Sequence, residues 1–116
     1  PASDYTYEVV LVNERTRKRM LGEDPGPPPT EGWMTCPEEM LDREKLAKAL
    51  VDGAEQILSD YDALGEDKAL MPLQTPYGER TPADLLTFMA IHTMYHDGQL
   101  NLLQSLYGDD KMNWPD

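Results

Sequence analysis

Apolar side chains recur every three or four residues in three long stretches of the chain, the spacing of a helix that buries one face. The first stretch follows a candidate N-cap at Ser3 or Asp4 and ends before Gly22. The second begins after the candidate cap Asp42 and ends at Gly65. These patterns predict two helices, and the predicted buried face of the second consists of Leu46, Leu50, Ala54, Ile57, Leu58 and Tyr61.

The third stretch opens with a strong helix start. Thr81 can cap the helix, Pro82 suits the first helical position, and Asp84 is acidic at the third position. The helix is predicted to run to about Tyr107 and to stop at Gly108. Its predicted inner face consists of Leu85, Phe88, Met89, His92, His96, Gln99, Leu100 and Leu103.

The segments between these helices are irregular. Residues 23–34 cannot be helical, because four prolines remove backbone donors and hold the chain extended. Within this loop, Trp33 is predicted to pack on the helices, or alternatively to edge a pocket. Residues 37–39 resemble a short helical turn, and 70–80 form a turn-rich connection with a few extended residues at 71–75.

Three helices joined by irregular segments predict an all-α protein, and an antiparallel helical bundle is the natural packing. A chain of 116 residues can remove roughly two-thirds of its unfolded surface from water, so we expect one domain over 1–116. The tail with Met112 and Trp114 is expected to fold back on this core. Because the chain opens at Pro1 almost directly on a helical pattern, we expect an N-terminally truncated domain, and a fourth helix would fit upstream.

The charge of the chain limits its partners. Its 22 acidic and 10 basic residues give a formal net charge of -12, which argues against nucleic-acid binding and against docking on an anionic membrane. No apolar run is long enough for a transmembrane helix, and no leader is visible. The single cysteine, Cys36, excludes an internal disulfide. We therefore expect a soluble, cytoplasmic protein in which Cys36 has a structural role.

The two histidines of the chain, His92 and His96, lie four residues apart, so a helix places both imidazoles on one face. Two interpretations are open: half-buried histidines with hydrogen-bonded ring nitrogens, or two ligands of one metal ion. Glu8 also has two interpretations, because it lies between Tyr5 and Val12 on the apolar stripe of the first helix. It is either a half-exposed carboxylate favoured by the helix dipole or the third ligand of that ion.

Known histidine motifs narrow the chemistry. The zinc peptidase motif His-Glu-x-x-His needs a glutamate where this chain has Thr93. Di-iron bundles need Glu-x-x-His pairs, but here Met89 and Thr93 occupy the glutamate positions. No nucleophile elbow accompanies the histidines. A mononuclear centre with open positions for water or substrate is left, and Glu8 is the best candidate for its third ligand.

Four neighbours of the histidines have predicted roles. Asp97 and Gln99 could orient the imidazole rings or hold a bound water. Gly98 could let another helix approach closely, since glycine inside a helix otherwise costs up to about 1 kcal/mol. Tyr95 could donate a proton near the metal, although its offset from the histidines favours packing in the core.

The segment 81–108, above all His92-x-x-x-His96-Asp97-Gly98-Gln99-Leu100, resembles the last helix of the DinB-like metalloenzymes. The wider frame is similar, including the Thr-Pro-Tyr-Gly connection before that helix. The resemblance implies a four-helix bundle whose first helix has no counterpart here, frequently a homodimer, and a divalent nickel, zinc or iron ion bound by three histidines. It maps two of these ligands onto His92 and His96 and places Glu8 at the position of the first.

The resemblance also implies a function, because members of the superfamily include thiol-dependent transferases and metal hydrolases. We therefore expect a metal-dependent enzyme of one of these types, in which an ion held by Glu8, His92 and His96 activates water or a thiol. The expected partner is a small-molecule substrate, for instance a low-molecular-weight thiol. The alternative is a non-catalytic stress-response or binding module with a degenerate metal site, since glutamate replaces one histidine.

Overall fold

The computed structural model describes residues 1–109 and 111, so the predicted packing of Met112 and Trp114 lies outside the described residues. The described part is mostly helical, which confirms the all-α class, and it contains the three α-helices that the sequence predicts. A 3-10 turn precedes the second helix and a two-stranded hairpin precedes the third. In chain order the elements are α1 (Ala2–Met20), the 3-10 turn (Glu38–Met40), α2 (Arg43–Ala69), β1 (Leu73–Thr75), β2 (Gly78–Arg80) and α3 (Pro82–Leu106).

The start of α1 differs from the prediction. The helix begins at Ala2, so Ser3 and Asp4 lie inside it and neither caps it. The Asp4 side chain is buried and instead accepts a hydrogen bond from the backbone N–H of Cys36 at 2.8 Å. That hydrogen bond lowers the pKa of the Asp4 carboxyl. Asp4, which the sequence suggested as an N-cap, therefore holds the end of the long loop against α1.

Both Gly22 and Gly108 end their helices as predicted. Gly22 has a φ of 78°, and its N–H donates to the Arg19 carbonyl while the next N–H donates to the Lys18 carbonyl. Gly108 has a φ of 89°, and its N–H donates to the Ser105 carbonyl. These bonds satisfy carbonyls that the helix leaves open, in a backbone conformation that glycine adopts without steric cost.

The predicted helix starts at Asp42 and Thr81 are confirmed. Asp42 accepts the Lys45 N–H at 2.9 Å. Thr81 Oγ1 accepts the Asp84 N–H at 3.1 Å, while the Asp84 carboxylate accepts the Thr81 N–H at 2.8 Å, so the two residues form a capping box. The predicted stop at Gly65 is a kink instead, because its φ of 79° breaks the helical backbone and α2 resumes as far as Ala69.

The core lies where α1 packs between α2 and α3, which touch each other much less. Buried residues from all three helices form its centre, namely Met20, Ile57, Leu85 and Met89. The predicted face of α2 is too wide, because Ala54 is exposed and Leu58 is 54% exposed. Since α2 meets essentially one neighbour, a narrow stripe is enough to cover its contact.

The connections pack on this core. β1 and β2 pair antiparallel with Leu73 opposite Arg80, which confirms extended residues before the turn and adds a second strand that was not predicted. In the proline-rich loop, the Arg15 guanidinium donates to the carbonyls of Pro25, Gly26 and Pro27 at 3.2, 2.7 and 3.0 Å.

Within the described part of the chain, no helix is long and apolar enough to cross a membrane.

Candidate metal centre

Glu8 of α1 meets both histidines of α3. Glu8 Oε1 lies 3.6 Å from His96 Nε2 and 3.8 Å from His92 Nε2, and the two Nε2 atoms lie 3.1 Å apart. One donor atom from each residue thus falls within 4.8 Å of the other two. The structure thus brings the three predicted residues together, and they form a cluster that could hold a metal ion.

The periods of α1 and α3 explain this meeting. On α1, Val9 is buried beside Glu8 and Thr16 is buried two turns further along the same helix. On α3, Met89 is buried one turn before the histidines, and His96 is itself buried. Because α1 and α3 pack along these faces, the polar residues carried on them are turned toward one another. The Glu8 carboxylate and the His92 ring are half-buried.

Hydrogen bonds orient the His96 ring. His96 Nδ1 lies 2.7 Å from Gln99 Oε1, and the Gln99 amide group donates to the Tyr95 hydroxyl at 3.4 Å. In this orientation the amide oxygen faces His96 Nδ1 and the amide nitrogen faces the Tyr95 hydroxyl, which can donate as well as accept. His96 therefore carries its proton on Nδ1, and the lone pair of Nε2 faces Glu8 and His92.

The His92 ring is held mainly by packing. It stacks against Phe88 with ring centroids 5.7 Å apart and an interplanar angle of 24°. Burial lowers the pKa of His92, the neighbouring His96 lowers it further, and Glu8 acts in the opposite direction. Its buried Nδ1 has no hydrogen-bond partner among the described residues. The neutral ring favoured by this surrounding is the form that binds a metal ion.

Two arrangements of protons are open to this cluster. If His92 is protonated at Nε2, it donates to His96 Nε2 across 3.1 Å and leaves Nδ1 an unused acceptor. If it is protonated at Nδ1, two lone pairs and the Glu8 carboxylate face one another with no positive charge between them. A cation removes that repulsion, and one carboxylate with two neutral imidazoles is an ordinary donor set for zinc or iron.

The separations of the donor atoms fit an ion of this kind. A tetrahedral centre with bonds of about 2.0–2.1 Å holds its ligand atoms about 3.3–3.4 Å from one another. The three separations here, 3.1, 3.6 and 3.8 Å, lie on either side of that value. A shift of a few tenths of an ångström, mainly of the half-buried Glu8 side chain, would bring all three atoms onto one ion.

A cavity of about 260 Å³ opens beside the three donor atoms, with Trp33 and Met34 of the long loop in its wall. Trp33 packs edge-on against Tyr5 with centroids 5.4 Å apart, yet it remains 61% exposed. The two roles considered for Trp33 are therefore combined, because it both contacts the bundle and borders the pocket. The opening leaves room for a water molecule or part of a substrate.

Several predicted neighbours lie elsewhere. Asp97 is exposed and accepts a hydrogen bond from Asn101, so it does not orient the histidines. A side chain at Gly98 would meet nothing within 4 Å, so no helix approaches it closely. Tyr95 is exposed instead of packed in the core, but it stays at the site, because its ring lies 5.3 Å from that of His96. The Tyr5 ring, 5.7 Å from His96, was missed, although its place three residues before Glu8 on the same stripe was an available signal.

Comparison with known proteins bears directly on this site. A family model for the DinB superfamily matches residues 6–100, a range that contains Glu8, His92 and His96. The match covers most of the chain and confirms the resemblance noted from the histidine helix. Neither a curated protein nor a solved structure matches the chain.

Proposed function

The chain belongs to the DinB superfamily, and we propose that it is a metal-dependent enzyme that uses a divalent ion held by Glu8, His92 and His96. The observation that carries the proposal is the convergence of one carboxylate oxygen and two imidazole nitrogens beside an open cavity. Catalytic metal sites differ from structural ones in having protein ligands on one side and an accessible position on the other. The arrangement has this asymmetry.

Each side chain has a role in this proposal. Glu8 supplies the one negative charge of the cluster and so favours a dication over a neutral occupant. Gln99 keeps the proton of His96 on Nδ1, which leaves Nε2 free as a donor. Phe88 covers one face of the His92 ring and fixes its plane. When bound, the ion would supply Lewis-acid chemistry, polarising a carbonyl or lowering the pKa of a water or a thiol.

Two reaction types suit an open site of this kind. For hydrolysis the cavity beside Glu8, His92 and His96 would have to admit a water molecule, and for thiol transfer it would have to admit the sulfur of a low-molecular-weight thiol. The Tyr95 hydroxyl, which lines the cavity and is bonded to Gln99, is a protein group able to exchange a proton with a leaving group there. We propose a small-molecule substrate in either case, because the cavity beside the three donor atoms is only about 260 Å³.

The glutamate at position 8 supports a second candidate function, that of a binding module without catalytic activity. The resemblance implies a histidine where this chain has Glu8, and the Glu8 oxygen lies further from the two Nε2 atoms than these lie from each other. An ion held by the two histidines alone would bind weakly and exchange readily. This candidate predicts that His92→Ala leaves the fold intact and changes no reaction rate.

Metal content tests the ligand set. The protein is purified without a histidine tag or chelator, and its metal is counted by mass spectrometry beside Glu8→Ala, His92→Ala and the control Glu14→Ala, an exposed glutamate of the same helix. Near-stoichiometric metal, lost in both site variants and kept in the control, supports the three-residue centre. Metal lost only in His92→Ala removes Glu8 from the ligand set. Wild-type protein that is empty and takes up no added nickel, zinc or iron overturns the proposal.

Activity then separates the two candidates. The metal-loaded protein is incubated with low-molecular-weight thiols plus an electrophile, and separately with ester and amide substrates. Turnover that His92→Ala abolishes identifies an enzyme and its reaction type. Metal binding with no turnover in any of these assays favours the non-catalytic module.

A further inference from the structure

A larger cavity, of about 700 Å³, lies further along α1 from the metal centre. Its wall combines apolar surface from Leu85 and Phe88 with two arginines, Arg19 of α1 and Arg80 of β2, and with the ring of Tyr77 between the strands. The proposed function does not use this cavity. Two guanidinium groups in one small apolar cavity are unexpected in a chain of net charge -12.

The Arg19 side chain has an unused hydrogen-bond donor here. Its Nε is buried and has no hydrogen-bond partner among the described residues. Its guanidinium carbon lies 5.8 Å from the centre of the Tyr77 ring, a contact that orients the group without engaging its N–H donors. A buried donor left without an acceptor is costly, so an acceptor is expected from outside the described residues.

The other cations of α1 already have ion-pair or hydrogen-bond partners. Arg17 forms an ion pair with Asp60, and Lys18 pairs with Glu14 at 3.4 Å. Arg15 donates to three loop carbonyls. Within residues 1–109, Arg19 has no carboxylate oxygen within 4.0 Å, which sets it apart from Arg17 and Lys18 in the same turn of the helix.

Arg80 reaches the same cavity from the hairpin. Its Nη1 donates to the carbonyl of Glu79 at 2.7 Å, and no carboxylate of the described segment lies within 4.0 Å of it. Asp84 is the acidic residue in the cavity wall. Its carboxylate accepts the Thr81 N–H at 2.8 Å, a hydrogen bond that lowers the pKa of the carboxyl, and the charge of Arg80 lowers it further. Two arginines thus share one carboxylate in the wall that the described residues form, and carboxylate and phosphate are the groups that arginine binds best.

We propose that this cavity binds the acid group, carboxylate or phosphate, of a small molecule whose apolar part lies against Phe88 and Leu85. The acid would accept hydrogen bonds from Arg19 and Arg80. The hydroxyl group of Thr16, which also lines the cavity, offers a further polar contact, whereas the Thr87 hydroxyl already donates to the Ala83 carbonyl at 3.0 Å. Neither arginine belongs to the candidate metal centre.

A third cavity, of about 510 Å³, has lining residues in common with both of the others. It shares Arg19 and Phe88 with the larger cavity, and Glu8 and His92 with the cavity beside the metal centre. Along α1, the 11 residues from Glu8 to Arg19 correspond to about 16 Å. Resting on the proposed function, this geometry assigns the enzyme an elongated acidic substrate, with its reacting group at the metal and its acid at the arginines.

The test uses metal-free protein, so it does not depend on the metal centre. Three probes of similar size, 4-phenylbutyrate, phenyl phosphate and the neutral 4-phenylbutyramide, are titrated into the whole chain and followed by NMR chemical shifts. The variants are Arg19→Gln and Arg80→Gln, and the control is Arg43→Gln, an exposed arginine at the start of α2. Thermal unfolding checks that each variant is folded. If Arg19→Gln does not fold, Arg80→Gln is the decisive variant, because Arg80 is exposed in the hairpin.

We expect at least one acid to bind at least tenfold more tightly than the amide, and each cavity variant to lose at least tenfold in affinity while Arg43→Gln loses none. Preference between the two acids identifies the group that the cavity takes. Equal binding of acid and amide, no binding of any probe, or acid binding that survives both cavity variants overturns the proposal. Acid binding that persists in Glu8→Ala separates this result from any failure of the metal centre.

Discussion

The Nε2 atoms of His92 and His96 face each other at 3.1 Å across one turn of α3. Because the Gln99 amide oxygen accepts the proton on His96 Nδ1, the Nε2 atom of His96 presents a lone pair to His92. In the metal-free protein, His92 Nε2 presents a proton to this lone pair. When an ion lies between the rings, His92 Nε2 presents a second lone pair instead. Metal binding is thereby coupled to the tautomer of His92 and to the Gln99 amide group.

This coupling predicts the behaviour of Gln99→Ala. Removing the acceptor of His96 Nδ1 frees the ring to rotate and to change tautomer, so zinc affinity should fall about 10- to 100-fold while the fold is unchanged. Titration of the metal-free protein with zinc measures the loss. Gln104→Ala, a half-buried glutamine on the same helix, is the control. An unaltered affinity in Gln99→Ala would mean that His96 needs no such support.

The sequence predicted the elements that local chemistry decides. The capping box of Thr81 and Asp84 and the glycine end at Gly108 rest on contacts within a few residues, so the pattern is enough to place α3. The meeting of Glu8 with His92 and His96 follows from helical period alone, once α1 and α3 pack on their apolar faces.

Features that depend on packing between distant segments could not be predicted. Asp4 looks like a cap, and only the return of the loop brings the Cys36 N–H to it. Leu58 is apolar and in phase with its helix, but among residues 1–109 no element covers it. The pairing of Arg19 with Arg80 in one cavity joins α1 to the hairpin, and no local spacing encodes that relationship.

Two methionines of α3 allow a matched test of the core. Met89 is 4% exposed and lies in the central cluster, whereas Met94 is 73% exposed. Met89→Ala should lower the free energy of unfolding by about 2–5 kcal/mol through lost burial and the cavity it leaves. Met94→Ala should change it by less than about 0.5 kcal/mol. Urea unfolding measures both, and similar values for the two variants would contradict this core.

The ion pair between Arg17 and Asp60 predicts a dependence of stability on pH. The Arg17 guanidinium lowers the pKa of Asp60 below its usual 3.8, and a hydrogen bond from Gln56 adds to this. A lowered native pKa means that the stabilisation is complete above pH 3.8 and is lost as the pH falls through the native value. Asp60→Asn should therefore destabilise the protein at pH 7 and match the wild type in strong acid.

The control for this prediction is Asp62→Asn, an exposed aspartate of the same helix. Its thermal midpoint should follow that of the wild type between neutral and acid pH. A gap between wild type and Asp60→Asn that widens as the pH falls would contradict the ion pair, because the native protein would then bind its proton more readily than the unfolded chain.

Cys36 should react slowly in the folded protein. Burial raises the pKa of its thiol, and the negative charges of Asp4 and Glu39 raise it further. Since only the thiolate is nucleophilic, each unit of pKa costs about tenfold in rate at pH values below the pKa. Alkylation by iodoacetamide at pH 8, followed by mass spectrometry, should be at least about tenfold slower in the native protein than in urea.

Asp4→Asn keeps an oxygen for the Cys36 N–H but removes one charge, so it should speed the native reaction. Equal rates in native and unfolded protein would place the thiol on the surface, and the loop from Pro25 to Cys36 would then not be fastened to α1 as described.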